Sequence, residues 1–360
     1  MNTNPTGSIR IALDAMGGDR APKIVVQGAG IAQIRYPKAE FTFYGNEAEI
    51  APLVAKQKNL RGRVAIVHTP DRISADDKPA IALRSGRNSS MRLAINAVSE
   101  GKADAVVSAG NTGALMGMAK FVLKTLPDID RPAIIAFFPT MKGEAVMLDL
   151  GANIECTPEN LVDFAVMGAI FANTVLGVHQ PRIGLLNVGA EETKGREDVR
   201  IAAQELRALE LPGEFIGYVE GDDITKGTVD VIVTDGFTGN VALKTAEGTA
   251  KMYTEFLKRT FKSSWLAQMG YIFARSAFQK LRKRIDPRTY NGALFVGLRG
   301  VCVKSHGGTD GIGFANAIGV AYDLVQYKFN DQISSRVHVM HEKIQALPSE
   351  IKTAQPEAVA

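Results

Sequence analysis

Cysteine is nearly absent from this sequence. Its 360 residues include only two, Cys156 and Cys302, which lie far apart and form no C-x-x-C pair. This scarcity argues against a zinc site and against a disulfide-stapled fold. We therefore expect a protein of a reducing compartment that holds no metal.

Three common catalytic signatures are also missing. No G-x-S-x-G motif is present, so a nucleophilic serine elbow is excluded. The single Gly-Lys pair, Gly101-Lys102, precedes alanine rather than Ser or Thr, so there is no P-loop. Gly17-Gly18-Asp19 does not form the G-x-G-x-x-G fingerprint of dinucleotide binding. The sequence thus calls for no metal and no organic cofactor.

Long apolar runs are absent as well. No run of 18 or more apolar residues occurs, and residues 1–8 lack the apolar core of a secretory signal. With 46% hydrophobic and 22% charged residues, the composition is that of a globular protein. We expect it to be cytoplasmic.

One stretch that is present, Ala103–Phe121, predicts a ligand site. Ala105-Val106-Val107 is typical of a buried parallel strand, and a helix is expected from Ala114. The loop between them combines small residues with hydrogen-bond donors, and free backbone N–H groups at such a helix start bind anions. An ordinary strand-to-helix turn is the alternative. The candidate phosphate ligands here are Gly110, Asn111, Thr112 and Gly113.

The chain repeats this device after a second β-branched strand, Val229–Val233. The loop Thr234–Asn240 is again rich in glycine, and we expect a helix from Val241, with Lys244 in its first turn. Two such loops facing one cleft would form a single anion site. The candidates here are Asp235, Gly239, Asn240 and Lys244.

Polar loops after other predicted strands add further candidates. Gly17 and Gly18 let the chain turn tightly between Asp14 and Asp19. These two carboxylates either hold a metal or transfer protons, or else Asp14 braces the loop and Asp19 caps a helix. Ser89 and Ser90 either cap a helix or face an anion. The remaining candidates are Asn187 and Lys194, where Lys194 contacts phosphate or is merely solvated, and His306 with Gly307, where the histidine is catalytic or structural.

Predicted strands and helices alternate along the chain, which indicates an α/β fold with a mainly parallel sheet. Residues 132–138 and 144–149 are exceptions. The short turn between them predicts an antiparallel hairpin within the sheet.

Several long blocks resemble the phosphate acyltransferase (PlsX) family. The resemblance covers about residues 9–330 and is too extensive for a chance match. The blocks, in chain order, are ALDAMGGDRAP near the N-terminus, NSSM at 88–91, SAGNTGALM at 108–116, LDLGAN at 148–153, GLLNVGAEETKG at 184–195, VEGDDITKG at 219–227, TDGFTGNVALKT at 234–245 and KSHGGTDGIGFANAI at 304–318.

The resemblance implies an architecture and an activity. The architecture would be that of isopropylmalate dehydrogenases and phosphotransacetylases, with two α/β lobes around a cleft, in a homodimer. The activity would be formation of acyl phosphate from an acyl-carrier-protein thioester and inorganic phosphate. The product would pass to a membrane glycerol-3-phosphate acyltransferase for phospholipid synthesis.

Many anion-binding loops without an evident nucleophile favour direct attack of phosphate on the thioester. We expect Asn111, Asn240 and Lys244 to bind phosphate and the oxyanion. His306 would protonate the leaving thiolate or polarise the carbonyl, while Asp14 and Asp235 orient the donors. Cys302 lies in an apolar strand and is a poor nucleophile candidate. The alternative is another enzyme of the same fold, a phosphotransacetylase or a decarboxylating dehydrogenase.

Positive charge is concentrated in residues 251–288, here called the basic island. It holds ten Lys or Arg residues and two acids, a net +8, against +4 for the whole chain. It predicts a helical insertion within a catalytic unit of residues 8–330, followed by a mobile tail at 347–360. We expect no nucleic-acid partner. We expect the island to contact a second copy in a dimer, an anionic membrane or the acidic carrier protein. The residues expected to contact the membrane or the carrier protein are Trp265, Leu266, Lys280, Arg282, Lys283 and Arg284.

Overall fold

An eleven-stranded sheet flanked by helices forms the body of the protein. This computed structural model describes residues 7–284, 286 and 288–346, with the backbone alone at 279–284 and 345–346. The tail expected at 347–360 and the side chains of Lys280, Arg282, Lys283 and Arg284 lie outside this description. The strands are β1 (Ile9–Asp14), β2 (Ala39–Gly45), β3 (Val64–His68), β4 (Ala105–Ser108), β5 (Ala133–Thr140), β6 (Gly143–Leu148), β7 (Arg182–Leu186), β8 (Glu214–Val219), β9 (Val231–Val233), β10 (Ala293–Val296) and β11 (Val301–Lys304).

Twelve α-helices in the described part of the chain connect and cover these strands. They are α1 (Lys23–Arg35), α2 (Glu47–Lys56), α3 (Pro79–Ser85), α4 (Ser90–Ser99), α5 (Thr112–Leu123), α6 (Pro158–Phe171), α7 (Glu197–Ala208), α8 (Asp223–Lys226), α9 (Gly236–Lys262), α10 (Trp265–Arg284), α11 (Gly311–Gln326) and α12 (Phe329–Ala346).

The sheet has two parallel blocks that run in opposite directions. The strand order is β3-β2-β1-β4-β11-β10-β5-β6-β9-β7-β8. The first five strands are parallel, β10 is antiparallel to both its neighbours, and the last four are parallel to one another and antiparallel to β5. This confirms the mainly parallel α/β fold and the hairpin of β5 and β6. The sequence reasoning did not identify β10.

The register of the central strands brings the carboxyl ends of both blocks to one level. Met147 pairs with Ala136, so the end of β6 lies beside Ile135. Leu294 pairs with that same Ile135, and its neighbour Ala293 pairs with Lys304 at the end of β11. The two blocks therefore approach this level from opposite sides, and the loops that follow their strands meet in the middle of the molecule.

Helix α6 is the buried spine of the second block. Its residues are almost all buried, and it packs against α7, α12 and β9. Together with the π-helical turn Ala172–Leu176 it is long and apolar enough to cross a membrane, but 72% of its apolar window is buried inside the fold. Its apolar character is explained by this core position. Val337 and Met340 of α12 are also core residues, so the packed unit continues past residue 330.

Helices α9 and α10 form a hairpin that contributes little to the core. Only Gly236 and Gly239 of α9 are buried. Phe261 contacts Tyr271 and Phe278 across the hairpin, with ring centroids 5.4 and 4.9 Å apart. The hairpin is the helical segment that the sequence predicted for the basic island.

Candidate active site

Three loops at the carboxyl ends of neighbouring strands pack directly on one another. They follow β1, β4 and β11. The amide of Ser305 donates to Ser108 O at 2.8 Å, and the amide of Asp19 donates to Gly307 O at 3.1 Å. A Cβ on Gly18 would lie 3.0 Å from the Ala109 side chain, so glycine permits this close approach. The structure thus brings the predicted Gly17, Gly18, Gly110 and Gly307 regions together.

Asp14 is the buried brace of these loops. Its carboxylate accepts hydrogen bonds from Ser90 Oγ and Ser108 Oγ, both at 2.6 Å. Burial raises the pKa of this carboxyl, although the two hydroxyls oppose the shift. A Cβ on Gly17 would collide with Asp14 Oδ2. Of the two roles the sequence left open for Asp14, these contacts fit loop bracing.

The side chain of Asn111 is fully engaged within the protein. Its Oδ1 caps α5 by accepting from the Ala114 amide at 3.0 Å. Its Nδ2 donates to Ala75 O and Asp77 O, at 2.8 and 3.0 Å. The loop motif predicted that this amide binds the substrate, but both of its N–H groups already have partners. We correct the role of Asn111 to that of a cap that holds the loop before α3.

The first turn of α5 retains anion-binding capacity through its backbone. The Gly110 amide is taken by Ser108 Oγ at 3.0 Å. Within the described residues, the amides of Thr112 and Gly113 have no protein partner, as expected for a helix N-terminus. The predicted anion site at this loop therefore reduces to these two donors and the helix dipole.

The second block supplies a matching carboxylate. Asp149, at the end of β6, accepts from the amides of Ile134, Gly151, Ala152 and Asn153 and from Asn153 Nδ2. Burial raises its pKa while these donors oppose the shift. It braces its loop as Asp14 braces the first. The sequence block LDLGAN contained this residue without indicating its role.

Helix α9 begins about one turn earlier than predicted. Asp235, not Asn240, caps it, accepting from Thr238 N at 2.8 Å and Thr238 Oγ1 at 2.9 Å. Arg196 lies 3.0 Å from the same carboxylate. The Gly239 amide donates to Asp235 O at 2.9 Å, so it is not free for phosphate as the sequence suggested. Gly239 instead allows α9 to approach Asp149 O.

One face of α9 carries polar and charged residues. Asn240, Lys244, Glu247 and Lys251 recur at helical spacing and share that face. The charges of the last three act on His306, so they lie near the loop after β11. Lys244 is therefore within electrostatic range of His306, whereas the Asn240 side chain lies beside Gly151.

His306 is held as a neutral imidazole with a defined tautomer. Its Nδ1 accepts from the Gly308 amide at 3.1 Å, which leaves the proton on Nε2. Burial and the nearby Lys304 lower its pKa, with further lowering by Lys244. A neutral Nε2–H is a hydrogen-bond donor suited to a carbonyl oxygen.

Asn291 fixes the loop that carries His306. It is 7% exposed. Its Nδ2 donates to Ser305 Oγ and Gly313 O at 2.8 and 2.7 Å, and its Oδ1 accepts from the His306 amide at 2.8 Å. It lies just after the segment that leaves the hairpin. The sequence reasoning missed it, because an isolated asparagine before an unrecognised strand carries no motif.

Lys304 is a second residue that the sequence reasoning missed. Its half-buried ammonium donates to Ser305 O, and Asp14, Asp19 and Lys244 are near enough to influence it. Burial lowers its pKa to about 8, and Lys244 adds to the lowering. The only sequence signal was its place at a strand end beside His306.

Polar side chains of the loop after β7 bond to other residues of the same loop. Asn187 Nδ2 donates to Lys194 O at 3.0 Å, and Lys194 pairs with Glu191 at 2.8 Å. Both side chains of the pair are exposed. Of the two roles considered for Lys194, the contacts fit a solvated, locally paired lysine rather than a phosphate ligand.

Neither cysteine is poised to react. Burial raises the pKa of Cys156 to about 12 and also raises that of Cys302, which is fully buried in β11. A thiol in such surroundings is not a nucleophile near neutral pH.

Comparison with known proteins shows to which class of protein this fold and this sequence are similar. A family model described as "Fatty acid synthesis protein" matches residues 9–332. The phosphate acyltransferase of Rhodospirillum centenum is 62% identical over 349 residues, covering 97% of this chain and 98% of that relative. That of Rhodospirillum rubrum is 55% identical, with 97% and 99% covered. A phosphotransacetylase from Streptococcus pyogenes has a TM-score of 0.60 at 16% identity, covering 89% of this chain and 94% of its own.

The fold therefore places the protein among α/β proteins built like the phosphotransacetylases. The near full-length identity then decides the family. This chain belongs to the phosphate acyltransferase family and is an acyltransferase. The family resemblance drawn from the sequence motifs is confirmed.

Proposed function

We propose that this protein makes acyl phosphate from an acyl-carrier-protein thioester and inorganic phosphate, by direct attack of phosphate on the thioester. One observation carries the proposal. Lys244 from the second block lies within electrostatic range of Lys304 and His306 from the first, and its ammonium pairs with Glu247 at 2.9 Å. The two cations suit the binding of phosphate, and the neutral N–H donor suits the polarisation of a carbonyl.

Phosphate would bind between the two lysines. Its negative charge offsets the repulsion through which Lys244 lowers the pKa of Lys304. The free amides at the start of α5 are available to its remaining oxygens. Binding here positions the nucleophile without covalent help from the protein.

The thioester carbonyl would accept a hydrogen bond from His306 Nε2. A phosphate oxygen forms a bond to the carbonyl carbon, and the C–S bond then breaks. The proton carried by hydrogenphosphate ends on the departing thiol, so the reaction needs no net proton from the enzyme. His306 stabilises the oxyanion while neutral, consistent with its lowered pKa.

The buried cysteines support a route without an acyl-enzyme intermediate. Both thiols have raised pKa values: Cys156 is buried in the loop between β6 and α6, and Cys302 is buried within strand β11. A covalent route through either would need a thiolate that burial disfavours.

Hydroxylamine trapping tests this proposal. The protein should accelerate acyl hydroxamate formation from acyl-carrier-protein thioester and hydroxylamine, above the enzyme-free background, only when phosphate is present, because acyl phosphate is the trapped species. His306→Gln should lower turnover by about 10²-fold through loss of an oxyanion donor. His338→Gln is the matched control, since His338 is exposed and pairs with Asp128 instead.

Two results would contradict the proposal. One is acceleration of hydroxamate formation by the protein in the absence of phosphate. The other is an acyl group found by mass spectrometry on Cys156 or Cys302 during turnover.

The hairpin supports a further part of the proposal, peripheral association with an anionic membrane. Trp265 and Leu266 begin α10 at the tip and are 71% and 65% exposed. Basic side chains along α9, such as Lys258 and Lys262, would meet lipid headgroups. There the product would reach a membrane glycerol-3-phosphate acyltransferase for phospholipid synthesis. The exposed apolar side chains of α9 also suit contact with a second copy in a homodimer.

A further inference from the structure

Three helices beside the cleft carry basic residues without acidic ones. They are α3, α4 and α5. No Asp or Glu occurs between Lys78 and Ser99, nor between Ala105 and Pro127. We call the six basic side chains of these two segments the basic face. They are Lys78, Arg84, Arg87, Arg92, Lys120 and Lys124.

The basic face has no internal counter-charge. Within the part of the chain that the structure describes, none of its six cations forms an ion pair. Some arginines elsewhere do have such partners, as in the Arg10–Asp104 and Arg182–Asp230 pairs. Burial lowers the pKa of Arg92, and the neighbouring Arg87 lowers it further. The fold thus holds like charges close together, and an anionic partner would relieve their repulsion.

Apolar side chains lie among these charges. Ile81 on α3 is 58% exposed and Phe121 on α5 is 64% exposed. The Arg92 guanidinium lies 5.2 Å from the centroid of the Phe121 ring. Since α5 packs against both α3 and α4, the three helices form one surface. An aromatic side chain stacked with arginine is the kind of anchor that protein interfaces favour.

The basic face borders the candidate active site. Helix α5 begins one residue after Asn111, whose Nδ2 donates to Asp77 O beside Lys78. Phe121 lies nine residues into that helix, about 14 Å from its start. A protein seated here could deliver a tethered thioester into the cleft over that distance.

We propose that the basic face is the docking surface for the acyl carrier, an acidic protein that presents the acyl group as a thioester. The inference rests on the proposed function and places the carrier here rather than on the basic island. Charge complementarity selects this occupant: the unpaired cations attract an acidic surface, and Phe121 with Ile81 supplies the apolar contact. The cleft then receives the thioester from the carrier and phosphate from solution.

Charge reversal tests the proposal with two acyl donors. The triple variant Arg84→Glu, Arg87→Glu, Lys120→Glu is compared with a control triple on another surface, Lys38→Glu, Lys56→Glu, Lys58→Glu. Both have the same change in net charge. Initial rates are measured with acyl carrier protein thioester and with a pantetheine thioester of the same acyl chain.

The face variant should lose at least about 10-fold in kcat/KM for the carrier thioester at low salt, because charge steers association. The loss should shrink as salt is added. Its kcat/KM for the pantetheine thioester should stay at the wild-type value. The control triple should match the wild type with both donors.

Three outcomes would overturn the proposal. The first is an equal loss with both donors, which would indicate a structural defect. The second is an unchanged face variant alongside loss of carrier activity in Lys251→Glu, Lys258→Glu, Lys262→Glu, which would place the carrier on the basic island. The third is unchanged carrier activity but lost sedimentation with anionic vesicles, which would make this face a membrane surface. If the wild type makes no acyl phosphate from either donor, the proposed function fails instead.

Discussion

Lys304 is a cation that the fold half buries without a carboxylate at ion-pair distance among the described residues. Desolvation of a charge opposes folding, so this position is unfavourable for stability. Residues kept at such a position usually serve a function instead. The adjacent His306, also influenced by Lys244, occupies the same electrostatic environment.

The pH dependence of phosphate binding should report the lysine. A pKa of about 8 means that Lys304 is charged below that pH and loses its proton above it. We therefore expect the KM for phosphate to rise as the pH passes 8. Lys304→Arg should move this rise to higher pH, because the guanidinium stays charged. Steady-state kinetics on both sides of that pKa would measure both.

A stability measurement separates function from structure at the same residue. Lys304→Met removes the buried charge, so its Tm at neutral pH should be no lower than that of the wild type while its KM for phosphate rises. The unfolded state, with the ordinary lysine pKa of 10.5, binds more protons than the native state between pH 8 and 10.5. Wild-type stability contributed by this group therefore increases with pH in that window. A lower Tm with unchanged KM would make Lys304 a structural residue.

For single residues, the sequence predicted which loops lie at the candidate site better than it predicted what each residue does there. Asn111 lies in the predicted loop, yet its amide is used by Ala75 O and Asp77 O, two carbonyls from a distant segment. Asn291 reaches Ser305 only through strand pairing that no local pattern encodes. Residue type and spacing predict that a loop binds something. They do not predict which of the loop's hydrogen-bond donors are already bonded to other atoms of the protein.

Helix α9 connects the two blocks. This arrangement requires its first turn to pack closely against the loop of Asp149. A Cβ on Gly239 would overlap Asp149 O, a backbone atom that cannot move aside readily. Gly239→Ala should therefore push α9 away from its loop, lowering the free energy of unfolding by about 1–3 kcal/mol. Turnover should fall with it, because Lys244 is displaced.

The same helix provides a control. Gly248 is exposed, and a methyl group added there would meet no atom within 4 Å, so Gly248→Ala should be neutral or stabilise by up to about 1 kcal/mol. Urea unfolding and steady-state turnover would compare the two variants. Equal effects would mean that close approach at Gly239 is unimportant.

Elements were predictable where their patterns were long or their turns short. The β5–β6 hairpin followed from two apolar runs and a tight turn. Strand β10 was missed because four residues, Ala293–Val296, give too little periodicity. The start of α9 was misplaced because glycines at 236 and 239 resemble a loop, whereas tertiary contact with Asp149 favours a helix there.

The candidate catalytic residues and the exposed apolar tip of the hairpin lie in different parts of the molecule. The candidate catalytic loops follow strands near the middle of the sheet, whereas Trp265 and Leu266 lie at the tip of the hairpin. Replacing both with glutamate should abolish sedimentation with anionic vesicles, because charge replaces the inserting apolar surface. Soluble turnover and dimer mass should not change.

A control pair tests whether any exposed apolar residue would behave alike. Ile34→Glu with Tyr327→Glu changes two exposed side chains away from the hairpin and should leave vesicle binding intact. Loss of the dimer in the Trp265, Leu266 variant would instead make the tip an interface between copies.

The hairpin begins beside the loop of Asp149, and the chain that follows it reaches the loop of His306 through Asn291. Helix α9 is about 40 Å long, and it is fixed at its first turn by Asp235 and Gly239. A tilt of about 10° would move its tip by about 7 Å and Lys244, some 12 Å from the pivot, by about 2 Å. Helix α9 would therefore act as a lever: if its tip rests on a membrane as we propose, mechanical load there would be transmitted to the Lys244 ammonium, our proposed phosphate ligand.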